Sequence, residues 1–129
     1  MSGKEKKNYS LVIETRSDYL SVRAAGERTR ESVRAITLEV FNVAIANRRE
    51  KALIDVRELE GRLGVLDSYL LVTEVFQKLR GKGMRKAAIV DTRISSFREW
   101  FLETVARNRG FNFRVFSDRE EALEWLERR

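Results

Sequence analysis

Apolar and polar residues alternate over two short stretches near the start of the chain. Residues 10–14, Ser-Leu-Val-Ile-Glu, form a β-branched run, and Thr15, Arg16, Ser17 and Asp18 supply a turn. From Tyr19 the pattern resumes, with Leu20, Val22 and Ala24 on one side and Ser21, Arg23 and Ala25 on the other. Two such runs joined by a polar turn predict an antiparallel hairpin with one wet face. Gly26 is then expected to break the strand, and Thr29 to cap a helix. In that helix Val33, Ile36, Val40 and Val43 recur at helical spacing up to about Asn47.

Further along, the period changes repeatedly. Residues 52–56, Ala-Leu-Ile-Asp-Val, and 86–91, Lys-Ala-Ala-Ile-Val-Asp, are nearly continuous apolar runs of the kind buried on both faces of a sheet. A polar loop over 57–64 and a helix over 66–80 separate them, with Gly81 placed to end the helix. Ser96 with Glu99 predicts a capping box for a third helix carrying Phe97, Trp100, Phe101 and Val105. Gly110 closes that helix, and Phe111, Phe113 and Val115 alternate in a last strand. Ser117 with Glu120 then caps a final helix presenting Ala122, Leu123, Trp125 and Leu126. Strands alternating with helices imply parallel pairing through crossover connections, with the first hairpin adding an antiparallel edge. The expected architecture is α/β: a single-layer mixed sheet of about five strands with four helices. Residues 1–8 read as a flexible basic tail and 9–129 as one domain.

The closing segment, Ser-Asp-Arg-Glu-Glu-Ala-Leu-Glu-Trp-Leu, together with the hairpin and the two buried runs, resembles the SpoIIAA-like proteins. These belong to the wider STAS group and share a layout with SEC14-type lipid-binding domains. The resemblance covers nearly the whole chain after Tyr9. It implies a non-catalytic regulatory module that works through protein contacts. Classical STAS members act as anti-sigma-factor antagonists, switched by phosphorylation of a serine in an Asp-Ser-Ser-Gly motif. The nearest match here is Asp67-Ser68-Tyr69-Leu70, which lacks the second serine and the glycine. Ser68 is thus the candidate phosphosite that the resemblance implies.

Composition narrows the chemistry. The 129 residues include no Cys, His or Pro, which excludes disulfides, thiol nucleophiles, zinc fingers and imidazole bases. No cofactor or metal is expected. Asp55 and Asp91, at the ends of the two buried runs, are the only pair that suggests acid–base work, and strand-end Asp is also ordinary turn chemistry. No apolar leader or run of about 20 residues is present, so a cytoplasmic location without a transmembrane segment is the expectation.

Ligands of parallel sheets sit beyond the carboxyl ends of the strands. In this order that edge gathers Arg57, Asp91, Arg93, Ser95 and Ser96, a candidate site for a small anionic or amphipathic ligand, nucleotide- or lipid-like. Asp91 and Arg93 pairing with each other is the plainer alternative. The formal net charge is +6, and nineteen of the 26 basic residues are Arg. Most bases cluster after helices, as Arg48, Arg49 and Lys51 do, or Lys78, Arg80, Lys82, Arg85 and Lys86. There they complement the helix dipole. No aromatic interleaves them, so nucleic acid is not the expected partner. Leu38, Phe41 and Ile45 widen the apolar face of the first helix. With Tyr69 they are the candidate interface to a protein partner or a second copy, a homodimer.

Overall fold

The computed structural model describes residues 8–64, 67, 70, 71, 73, 74, 84–92, 103, 107 and 112–128. Five strands lie in one sheet in chain order: β1 (Tyr9–Thr15), β2 (Leu20–Glu27), β3 (Lys51–Glu60), β4 (Lys86–Val90) and β5 (Asn112–Phe116). β1 pairs antiparallel with β2, and all later pairs are parallel. Two complete helices are described, α1 (Arg30–Ala46) and α2 (Arg119–Glu127). Between β3 and β5, residues 67, 70, 71, 73, 74, 103 and 107 are also helical, within the two further segments predicted as helices. The predicted Gly81 stop and the Ser96 box lie outside the described residues, as do residues 1–7.

α1 begins where its cap dictates. Thr29 accepts from the backbone N–H of Ser32, and Ser32 Oγ returns the bond to the Thr29 N–H. The Ser32 hydroxyl also donates to Glu27 O at 2.7 Å, which ties the helix start to the end of β2. Ile36, Val40, Phe41 and Ala44 then face the sheet, closing a core with Leu20, Val22, Ala24, Ala52, Ile54, Val56 and Leu59. α2 covers the opposite face, where Ala122, Trp125 and Leu126 pack on Leu53, Ala88 and Val90. Burying a side chain of this size stabilises by roughly 1.5–3 kcal/mol, so each face carries its own set of anchors.

Three local expectations are corrected. Gly26 does not end β2; it lies within it, opposite Tyr9 on one side and Leu59 on the other, with φ of 127°. Glycine is needed because a Cβ there would collide with Asn8 O and lie 2.6 Å from Tyr9 Cα. The residues expected as loop from 57 onward extend β3 to Glu60. The β2–β3 register shifts between Arg23 and Ala25, which pair with Asp55 and Glu58, so β3 carries one extra residue. That bulge changes the phase of the strand and turns Leu59, rather than Glu58, into the core. Finally, α2 is capped by Asp118, whose carboxylate accepts from Glu120 N–H, not by Ser117.

Gly26→Ala combines a forbidden conformation with a backbone clash. It is expected to destabilise the fold by at least about 2 kcal/mol, read as a lower urea midpoint with an unchanged slope.

Candidate functional site

The parallel strands end at different heights, and this makes the site. β3–β4 pairing stops at Asp55 opposite Val90, so the bulged end of β3 runs on beyond β4, paired with β2 alone. A cleft of about 390 Å³ opens there, lined by Arg28, Arg57, Leu59, Glu60, Gly61, Arg62, Asp91 and Thr92. Gly61, with φ of 99°, turns the chain out of β3 at the rim.

Arg28 dominates the floor. It follows β2 directly, and its backbone N–H donates to Glu60 O at 2.7 Å. Its guanidinium grips Asp91 with both terminal nitrogens, Nη1 to Oδ2 at 2.9 Å and Nη2 to Oδ1 at 3.2 Å. Nη2 also donates to the carbonyls of Val56 and Leu59, each at 3.2 Å, on either side of the two polar residues that the bulge absorbs. The two side chains are 11% and 8% exposed, so this is a buried ion pair. The Thr92 N–H donates to Asp91 Oδ1 and completes the carboxylate's shell. Among the described residues, Arg28 Nε is the one buried side-chain polar atom without a partner.

A second pair sits beside the first. Arg57 donates to Asp55 through Nη2 at 2.7 Å, through Nε at 3.0 Å and through its own backbone N–H at 3.1 Å. Burial pushes the Asp55 carboxyl upward, but the Arg57 hydrogen bonds and the charges of Arg57 and Arg23 outweigh it. The group lies below the ordinary carboxylate range. Arg57 is raised in turn, by its hydrogen bond to Asp55 first and by that charge second. Strand alternation separates the two acids: Asp55 shares its face with Leu53, whereas Asp91 is one residue beyond Val90, Asp55's partner. Each is bound by its own arginine.

The predicted site residues divide accordingly. Arg57 and Asp91 do line one cleft, and among the described residues the ion-pair partner of Asp91 is Arg28. Arg93, Ser95 and Ser96 lie outside the described residues, as do Ser68 and Tyr69. Phe41 is corrected as an interface residue: it is 2% exposed and belongs to the core. Leu38 is half-buried and Ile45 is 37% exposed. Arg30 pairs with Asp67 and Arg34 with Glu74, so the flank of α1 that continues to Leu38 meets the helical residues after β3. Arg28 itself was missed, because one arginine in Gly-Glu-Arg-Thr-Arg carries no local mark of a partner 63 residues away.

At the opposite edge the bases serve the fold. Lys86 Nζ donates to Trp125 O at 2.8 Å and Arg128 O at 2.7 Å, closing the carboxyl end of α2 from a neighbouring strand. It also lies 4.6 Å from the centre of the Trp125 ring. Burial, then the charges of Lys51, Arg128 and Arg85, hold the Lys86 ammonium below its ordinary range. Lys51 pairs with Asp18, and Arg85 with Glu50.

A single mixed sheet with an antiparallel edge strand and helices on both faces defines an α/β domain of the SpoIIAA-like fold. The chain belongs to the SpoIIAA-like family, whose family model matches residues 19–127. It is similar to an uncharacterized protein with a SpoIIAA-like fold from Shewanella loihica, at 26% identity and a TM-score of 0.58. That match covers 98% of this chain and 99% of the other. An anti-sigma factor antagonist from Mycobacterium paratuberculosis shares the fold at 15% identity and a TM-score of 0.61, over 96% and 98% of the two chains. No curated protein matches the sequence. Among the described residues, no helix is long and apolar enough to cross a membrane.

Removing Asp91 strands a buried cation. Asp91→Ala is expected to cost about 3–5 kcal/mol, while the double change Arg28→Met with Asp91→Leu recovers most of that loss. Urea unfolding of the single variant and the double checks both claims. A carboxylate held below its unfolded pKa adds stability that is complete above about pH 5 and lost as pH falls through the folded value. Asp55 is in that position. The stability gap between the wild type and Asp55→Asn should therefore shrink steadily as unfolding is followed from pH 5 downward, and stay constant from pH 5 to 7.

Proposed function

We propose that this chain is a non-catalytic regulatory module that acts through protein–protein contacts in the cytoplasm. The observation that carries the reading is the state of the carboxyl edge. Both strand-end acids there are bound by arginine, and a general base needs a free, suitably tuned group within reach of its proton. What the edge offers instead is a pre-shaped polar rim: Arg57, 40% exposed at its side chain, with Glu60, Gly61, Arg62 and Thr92 around it. Fixed charges on a rigid rim suit recognition of a partner surface more than turnover. The fold shared with an anti-sigma factor antagonist supports the same reading. Ser68 as a regulatory phosphosite, and Leu38, Ile45 and Tyr69 as contact residues, belong to this proposal.

The cleft itself favours a second reading, a site for a small anion. Arg62 has no ion pair among the described residues, and the exposed part of Arg57 faces the same opening. Two guanidinium groups at one opening bind phosphate or carboxylate through charge-assisted bonds. Arg93, Ser95 and Ser96 are proposed as its further contributors.

Native mass spectrometry of the protein purified from its own cells separates these readings. The expected result is a stoichiometric protein partner whose retention falls at least tenfold in the double variant Arg57→Glu, Arg62→Glu, with the melting temperature held. A small added mass, lost on denaturation and absent from that variant, would instead establish the anion site. Turnover of a bound molecule would overturn the non-catalytic reading.

A further inference from the structure

The two edges of the sheet are treated differently. On β5, the Val115 N–H is met by the Glu103 carboxylate at 2.9 Å, so a side chain from outside the sheet occupies that edge. On β1, no described residue lies beyond the strand. β1 also lacks the usual protections of an open edge: it contains no Lys, Pro or bulge, and its one charge is Glu14. Val12 on this strand is 58% exposed, the most exposed of the large apolar residues described.

The hydrogen-bond phase of β1 follows from its register. Glu27 N–H donates to Asn8 O and Arg16 N–H to Tyr19 O, so the even-numbered residues of β1 bond inward to β2. The N–H and C=O groups of Leu11, Ile13 and Thr15 therefore point to the open side. A two-fold axis through Val12 satisfies these groups with a second copy. Leu11 then faces Ile13 of the other copy in a hydrogen-bonded pair, and the two Val12 residues meet on the axis in a non-bonded pair. Glu14 faces Ser10, so no like charges oppose each other. Leu11 and Ile13, half-buried against the α1 side of the sheet, lose their remaining exposure on one face, and Val12 loses its own on the other.

We propose that β1 is a self-association edge, and that two copies of this chain pair antiparallel through it, about Val12, into one ten-stranded sheet. This replaces the α1 face as the homodimer surface. It does not depend on the regulatory reading, since a monomer could equally well engage a different protein.

The absence of Cys from the chain makes the register directly measurable. Facing residues in a non-bonded antiparallel pair have Cα atoms about 4.5 Å apart, within disulfide reach. Under mild oxidation, Val12→Cys should form a disulfide-linked dimer at least tenfold faster than Ser10→Cys or Glu14→Cys alone. An equal mixture of Ser10→Cys and Glu14→Cys should link to each other. Val12→Lys, at an exposed position, should keep the circular dichroism of the wild type and run as a monomer where the wild type is a dimer. A monomeric wild type in native mass spectrometry at micromolar concentration, or equal linking rates for the three cysteine variants, overturns the proposal. Preferential linking through Ile45→Cys would do so too, in favour of α1. None of these outcomes touches the partner retention that tests the regulatory reading.

Discussion

A single buried guanidinium holds the carboxyl edge of this domain together. Arg28 stands just past β2 and donates to the Asp91 carboxylate, one residue past β4, and to two carbonyls of β3. The end of β4 is thereby joined to the paired ends of β2 and β3. Beyond Asp55 and Val90 no ladder bonds link β3 to β4, so without this tie the end of β3 would have only its β2 partner. A buried ion pair is a weak source of net stability, because desolvation offsets most of its attraction. What it supplies here is geometry: the guanidinium fork fits one carboxylate and one spacing of carbonyls. The bulge in β3 and the arginine opposite it are two halves of one arrangement.

The same pairing of charge accounts for many of the basic residues. Arginines at the carboxyl edge are paired to the strand-end acids, and at the amino edge Lys86 closes α2 while Lys51 and Arg85 are paired to Asp18 and Glu50. Many of the 26 bases are therefore internal cationic fastenings, although each ion pair also uses an acid and leaves the net charge of +6 unchanged. That charge does not by itself describe a polyanion-binding face. The exposed cations that remain near the cleft, Arg57 in part and Arg62, are few and local, as suits contact with a defined surface.

Much of this was legible in the residues, and the failures have physical causes. Alternation and continuous apolar runs located all five strands because burial on one face or two leaves different periods. Thr29 was readable as a cap because its bond is local. β3 was cut short because Arg57 and Glu58 interrupt the apolar run, and only the neighbouring strand reveals that a bulge carries them. Gly26 looked like a terminator because a glycine at positive φ serves a turn or a close strand approach equally well. Phe41 looked surplus to the α1 stripe because helical spacing does not report how deeply a helix sits on a twisted sheet. The Arg28–Asp91 pair was invisible for a simpler reason: neither partner's surroundings in the chain point to the other.

The layout also decides how the two surfaces of the molecule combine. β2, β3, β4 and β5 run parallel, so the cleft lies at one end of the sheet, whereas the open strand β1 lies along its side. Side and end do not compete for the same residues. Antiparallel pairing through β1 reverses the second sheet relative to the first, which sends the two carboxyl edges in opposite directions. Each cleft would then stay open and far from its twin. Association along the side thus leaves recognition at the ends independent, and an assembly of this form would carry two partners with no geometric reason for one to hinder the other.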